Sequence, residues 1–436
     1  MRPGKILLLA VAVVSVLVIP SSGAKAITLS EAVKMAMERN HDVLSAREEL
    51  IKAEGLVKVA EGSFYPSLSA GAEATAREET PVRQDTELYG ADLTLNQTIY
   101  AGGRLRAYRA QADYNTLVAL NSLSSVEQQV AYQVYAGFYS VLLGEENVKT
   151  AEEALAYAEN YALETRKRRE VGLATDLEVT RAEQLLVTSR KELVKAQNEL
   201  ESARVELARL LRFPEDRKPS ADGLLEYVPV DVQSRDSVGY ALENSPELEI
   251  LRQKVKMQEK NIDIARSDLR PSVSMSASWQ FDDPATGITG DSGGDDTWSV
   301  KVRADFPLFD SGITKGKVEQ EKATLRQSER SVEKKADDLR SEIKTIILEL
   351  DTAENNVMES IKNLELARES LRLAEVGVRE GVGIQLDVLD ARRSLTQARL
   401  SWASAVMNYE LKAAELRKAE GRLVSWLLDT EEGREE

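Results

Sequence analysis

The sequence predicts a mainly α-helical protein with a small β part: duplicated long antiparallel coiled-coil hairpins plus four strands per chain. Three observations carry this. The chain repeats itself at about half its length, each half holds a 69-residue stretch with a seven-residue apolar period, and ahead of each stretch the period drops to two.

The repeat is read from short matches. "AMERNHDV" at 36–43 answers "ALENSPEL" at 241–248, and "YPSLSA" at 65–70 answers "RPSVSM" at 270–275, both at an offset of 205. "TIYAGG" at 98–103 answers "PLFDSG" at 307–312, and Gly172 answers Gly381, both at an offset of 209. Four extra residues therefore enter the second half between its strands, and they are expected in the connecting loop.

Residues 1–26 read as a signal peptide. Arg2 and Lys5 precede an apolar run from Ile6 to Ile19, and Ala24-Lys25-Ala26 suits a signal peptidase. An uncleaved anchor is the competing reading, but 14 apolar residues are short for a membrane helix. The expected mature chain starts at Ile27 and divides into repeats 27–220 and 221–430. Loss of three cations with the leader takes the net charge from −16 to about −19, which argues against nucleic acid as a partner. With no cysteine and one histidine, disulfides, a lipidated N-terminal cysteine and an ordinary transition-metal site are excluded or disfavoured, and no cofactor is expected.

After the leader comes a helix, "ITLSEAVKMAMERNHDVLSA". Strands follow near 65–77 and 91–100, and in the second half near 271–281 and 298–307. The second pair is the clearer: Val273, Met275, Ala277, Trp279 and Phe281 alternate with serines and Gln280, while Trp298, Val300, Val302, Ala304 and Phe306 alternate with Ser299, Lys301, Arg303 and Asp305. No other apolar layer is available to cover such a face. The pattern fits a membrane barrel with apolar residues toward lipid and charged ones toward a wet lumen. Four strands cannot close a barrel, so several copies must share one.

The 69-residue stretches, Gly103 to Gly172 and Gly312 to Gly381, read as single helices about 100 Å long. One second-half seam is Ala336, Ile343, Leu350, Val357, Leu364, Leu371 and Val378; its neighbour is Val318, Leu325, Val332, Leu339, Ile346 and Ala353. The first half carries Val134, Val141, Val148, Leu155 and Ala162, with Leu123, Val130, Gly137, Gly144 and Ala151 alongside. Gly137 and Gly144 mark either close helix contact or kinks. Each long helix stops at a glycine and a helix returns over about 176–211 or 385–420; Thr175 with Glu178 forms a capping-box pattern in the first half only.

These features, in this order and duplicated, resemble the TolC-like outer-membrane efflux factor family over essentially the whole mature chain. The carriers are the leading helix, "YPSL" and "RPSV", "TIYAGG" and "PLFDSG", and "GVGIQLDVLDARRSL". The resemblance implies a homotrimer with a trimeric α-barrel in the periplasm and a shared 12-stranded transmembrane β-barrel in outer-membrane lipid. It also implies a periplasmic adaptor and an inner-membrane transporter as partners. Val171, Gly172 and Leu173 match the family's adaptor-contacting tip; in the second half only Gly381 matches, between Glu380 and Val382. Asp387 and Asp390 fall where the family carries a constricting acidic ring, although Asp387 also suits a helix start. The tyrosine and arginine that latch the closed tip in the family are replaced by Val378 and Gly383.

Two other classes are weighed against an exit duct. A periplasmic coiled-coil adaptor or rod explains the heptads without needing the strands. A secreted serine hydrolase rests on "GDSGG" at 290–294, where Ser292 would need the chain's single histidine, His41, as its base.

Overall fold

The computed structural model describes residues 26–77, 86–214, 219–229, 234–285 and 295–432. The leader, and with it both readings of residues 1–25, lies outside the described residues, as does Ser292. In chain order the elements are β1 (Ala26–Ile27), α1 (Leu29–Arg39), α2 (His41–Gly62), β2 (Ser67–Arg77), β3 (Thr86–Ala101), α3 (Arg104–Glu170) and α4 (Asp176–Leu211). Then follow β4 (Ser220–Ala221), α5 (Ser234–Asn244), α6 (Pro246–Ser267), β5 (Ser272–Ala285), β6 (Asp295–Asp305), α7 (Ile313–Arg379), α8 (Gln385–Ala419) and α9 (Leu423–Glu432).

The leading helix is two helices. Thr28 and Glu31 form a capping box that starts α1. Asn40 then stops α1 and caps α2, its side-chain oxygen accepting the Asp42 N–H at 2.9 Å while its amide donates to the Leu210 carbonyl at 3.1 Å. His41, the first residue of α2, is exposed.

β2, β3, β5 and β6 form one antiparallel sheet in that order. The register gives each face a single character. One face carries the rows Leu68–Leu95–Ala277–Val300 and Ala70–Leu93–Trp279–Trp298; the other carries Ser67–Asn96–Ser276–Lys301 and Ser69–Thr94–Ser278–Ser299. On the polar face Ser278 and Ser299 share a hydrogen bond of 2.9 Å. Trp298 is 77% exposed and Val302 63%, so nothing among the described residues covers the apolar face. No helix among the described residues is long and apolar enough to cross a membrane.

β3 begins at Thr86, five residues before the sequence pattern suggests, because β5 extends to Ala285 and supplies its partners. β2 is described over 11 residues and β5 over 14. The expectation that the extra residues of the second half lie in the connecting loop falls on residues 78–85 and 286–294, outside the described residues.

α3 and α7 each run unbroken for 67 residues. Gly144 packs α3 on α4: a Cβ there would lie 3.0 Å from the Leu200 Cδ1 and 3.1 Å from its Cα. At Gly137 the same atom would sit 3.5 Å from Leu207 and Leu210. Gly144 therefore marks close contact and Gly137 an ordinary one, both in a continuous helix, and the kink alternative falls. The α7 seams are buried from Leu339 to Leu371, whereas Val318, Leu325 and Val332, toward the sheet, are half-buried.

The two halves lock together at mid-height. α9 packs Leu423 and Leu427 into the core shared by α1, α3 and α4, and Gln128 fastens it by donating to the Gly421 carbonyl and accepting the Val424 N–H. A strap, residues 219–229, begins in the β4–β1 parallel pair, buries Leu225 against α7 and α8, and ends where the Tyr227 hydroxyl donates to Glu354 at 2.7 Å. Beside it Tyr135 of α3 donates to Glu410 of α8 at 2.6 Å. Burial pushes the Glu410 carboxyl up, and its bond from Tyr135 pulls it partly back. A raised carboxyl favours the protonated form when folded. Its contribution to stability is full below the ordinary value of 4.5 and is lost as pH rises through the raised value. Glu410→Gln, which keeps an acceptor for Tyr135, should raise thermal stability at pH 7–8. The advantage should vanish in melts below about pH 4.5, and a pH-independent difference would contradict the assignment.

Candidate functional site

The ends of the two hairpins farthest from the sheet form the candidate site. α3 carries Lys167, Arg168 and Arg169 in its last turn, which suits the negative end of the helix dipole. The Leu173 N–H then returns to the Arg168 carbonyl at 2.7 Å, with Gly172 at φ 76° between them. That left-handed conformation is what calls for glycine. α4 restarts through the predicted capping box, Glu178 N–H to Thr175 Oγ1 at 3.2 Å and Thr175 N–H to Glu178 Oε2 at 2.6 Å. Those bonds hold the Glu178 carboxyl below the usual range. Arg169 bridges the turn to Asp176 at 2.6 Å and lowers that carboxyl also. Val171 and Leu173 stand 69% and 68% exposed at the apex.

The second tip is built differently. Gly381 again has φ 76°, but Val382 and Gly383 both donate to the Gly377 carbonyl, at 3.0 and 2.9 Å. A Cβ on Gly383 would lie 2.9 Å from the Gly377 backbone carbon, so the two glycines set the closeness of this turn. Ile384 begins α8 with no side chain able to cap. Asp387 supplies half of a capping box instead, accepting the Ile384 N–H at 3.4 Å.

Asp387 and Asp390 are both exposed in the first turns of α8. The neighbouring Val388 and Ala391 face inward against Leu371. At 100° per residue, Asp390 points roughly 130° away from that seam and Asp387 roughly 70°. Asp390 makes no hydrogen bond or ion pair with a described residue. The structure thus separates two acids that the sequence treats as a pair: one helps start a helix, and the other is exposed with no partner among the described residues.

A further group was missed in the sequence. Arg392 of α8 lies 3.9 Å over the Tyr157 ring of α3 and pairs with Glu375 of α7 at 2.8 Å. One heptad along, Arg399 pairs with Glu153 of α3. These cross-ties join the two hairpins about 20 Å above the first tip. The only sequence signal was the seven-residue spacing of the arginines, four-residue spacing of Glu153 and Tyr157, and no indication of which helices would meet.

His41 opens α2, and Ser292 lies outside the described residues, so the pair required by a hydrolase is not brought together among the described residues.

The sequence profile described as outer membrane efflux protein matches residues 32–211 and 238–422, which is most of the chain and both halves. The chain belongs to the outer membrane efflux protein family. It is similar to the outer membrane efflux protein BepC of Brucella suis, at 23% identity over 97% of this chain and 91% of that protein. It is likewise similar to the cobalt-zinc-cadmium resistance protein CzcC of Cupriavidus metallidurans, at 25% identity over 93% and 92%. The open-state outer membrane channel MtrE of Neisseria gonorrhoeae superposes with a TM-score of 0.76 at 20% identity, covering 91% of this chain and 89% of that one. This efflux protein is an outer-membrane exit duct of a tripartite efflux or type I secretion system, with its helical part in the periplasm.

Proposed function

We propose that three copies of this chain form a continuous conduit, a 12-stranded barrel in the outer membrane above a periplasmic α-barrel. Through it a periplasmic adaptor and an inner-membrane transporter expel their cargo. The observation that carries this is the sheet: four strands with one apolar face, one polar face, and two free edges of 11 residues each, on β2 and β6. Edge strands demand pairing, and β6 runs opposite to β2, so a neighbouring copy's β2 continues the sheet with the helices of both copies on the same side. The uncovered row Val300–Ala277–Leu95–Leu68 then faces lipid.

Val171, Gly172, Leu173 and Gly381 are the adaptor contact: small or apolar, exposed, and at the end of the conduit away from the membrane. The unequal construction of the two turns supports unequal docking of the two hairpins. The role is passage rather than catalysis, a reading supported by the family match over both halves and by the chain's having a single histidine.

Asp390 supplies the acidic ring at the constriction, with Asp387 first of all a helix starter. Rings of carboxylates favour cations and are blocked by tightly held ones. In planar-bilayer recordings Asp390→Asn should weaken block by a divalent or hexammine cation at least several-fold, the order expected for removing three charges from one axis. Asp387→Asn should do less to block and more to thermal stability. Unchanged block in both variants would remove the acids from the constriction.

A further inference from the structure

The sheet's polar face is not uniform in charge. Lys301 lies in the row Ser67–Asn96–Ser276–Lys301 and Arg303 in the row Thr98–Ser274–Arg303, neither of which contains an acid. Arg303 is paired along its own strand with Asp305 at 3.0 Å. Lys301 is exposed and makes no hydrogen bond or ion pair with a described residue. Moving away from the helices, the next row is all hydroxyl: Ser69, Thr94, Ser278 and Ser299. Only beyond it does an acid appear: Asp92, in a row with Gly71, Gln280 and Thr297, its carboxylate lying over Gly71 where a side chain would collide with it.

Thr297 and Lys301 are four residues apart on β6, so about 13 Å separates the basic and acidic rows. That exceeds the Debye length of about 8 Å at physiological ionic strength, so Asp92 does not cancel Lys301. In a chain with net charge −16, an unpaired cation held among hydroxyls on the polar wall is an exception to the general field.

We propose that Lys301, flanked by Arg303, forms an anion-attracting belt on the lumen wall just above the strand-to-helix junction, taking carboxylate- or phosphate-bearing solutes. This rests on the reading above that copies close the sheet into a barrel with its polar face inward. Three lysines around one axis, each about 10 Å from it, raise the local concentration of a monovalent anion about tenfold at low salt, and that of a polyanion more. The belt lies at the opposite end of the conduit from the acidic tip, so an outgoing solute meets a cation-favouring ring first and an anion-favouring one second.

The chain contains no cysteine, which makes a direct test possible. Ser276 stands across from Lys301 in the register. In the assembled protein carrying Ser276→Cys, at low salt the anionic sulfonatoethyl methanethiosulfonate should gain on the cationic trimethylammonium-ethyl reagent by about a hundredfold over their ratio with a free thiol, about tenfold from enrichment of the anion and about tenfold from depletion of the cation. Adding Lys301→Gln should abolish that preference, Lys301→Arg should keep it, and raising salt should erode it. An anion preference that is absent, or is the same with and without Lys301, overturns the belt while leaving the barrel standing. If Met275→Cys on the other face is labelled by these water-soluble reagents and Ser276→Cys is not, the inward polar face itself is wrong and the belt falls with it.

Discussion

Val300→Lys should leave the protein without a stable place in the outer membrane. Val300 is 59% exposed midway along β6, at the end of the apolar row formed with Ala277, Leu95 and Leu68. A lysine on the lipid face near the middle of a barrel wall costs about 2–4 kcal/mol, and a ring of three copies carries that cost three times. The expected result is loss of the heat-dissociable oligomer from the membrane fraction, with the chain recovered as aggregate or degraded. Ser299→Lys, one residue along and on the polar face, should assemble normally. Equal behaviour of the two variants would mean that the faces are assigned wrongly. A soluble oligomer of Val300→Lys with intact helices would instead favour the periplasmic rod.

Gly144→Leu should separate α3 from α4. The Leu200 backbone lies 3.1 Å from the position of the missing Cβ, and a backbone atom in a packed helix pair cannot move aside as a side-chain end can. Overpacking of this kind costs about 1–3 kcal/mol. Here it falls within the buried core that includes Val141, Leu142 and Leu200, so the loss is expected at the top of that range. Gly137→Ala is the contrast. Its Cβ would meet ordinary contacts at 3.5 Å, and the alanine's better helix propensity contributes up to about 1 kcal/mol in the other direction. Thermal dissociation of the oligomer should therefore drop for the first variant and hold or rise for the second. A fall for both would point to a flexing role for these glycines.

Much of this architecture is legible in the sequence because long helices and alternating strands obey simple periods. Ile343, Leu350 and Val357 repeat every seven residues and are buried, and the glycine stops at 172 and 381 adopt the left-handed conformation their position requires. Features settled by distant partners were not legible. The apolar pattern runs through Met37, Val43 and Leu44 as if in one helix, whereas Asn40 breaks it with a bond to Leu210, 170 residues away. "TELYGAD" alternates poorly, and it is strand because β5 reaches far enough to pair with it. In the candidate site, Asp387 and Asp390 are three residues apart and look equivalent until the Ile384 N–H selects one of them. Arg392 and Arg399 gain meaning only when α3 lies beside α8 and presents Tyr157 and Glu153.

The half-buried upper seam of α7 and the two bare sheet edges have a consequence for the life of the chain before it reaches its membrane. In the proposed assembly Val318, Leu325 and Val332 would gain cover from another copy, and the outer edges of β2 and β6 would gain hydrogen-bond partners there. A lone protomer is then an adhesive, incompletely folded species, and its stability is inseparable from protomer concentration. Like edges can also pair, β6 with β6, but antiparallel pairing of that kind puts the helices of the two copies on opposite sides and cannot build a conduit with all its helices at one end. Dilute delivery into the periplasm, with assembly faster than such mispairing, is accordingly a condition of biogenesis written into the strand order itself.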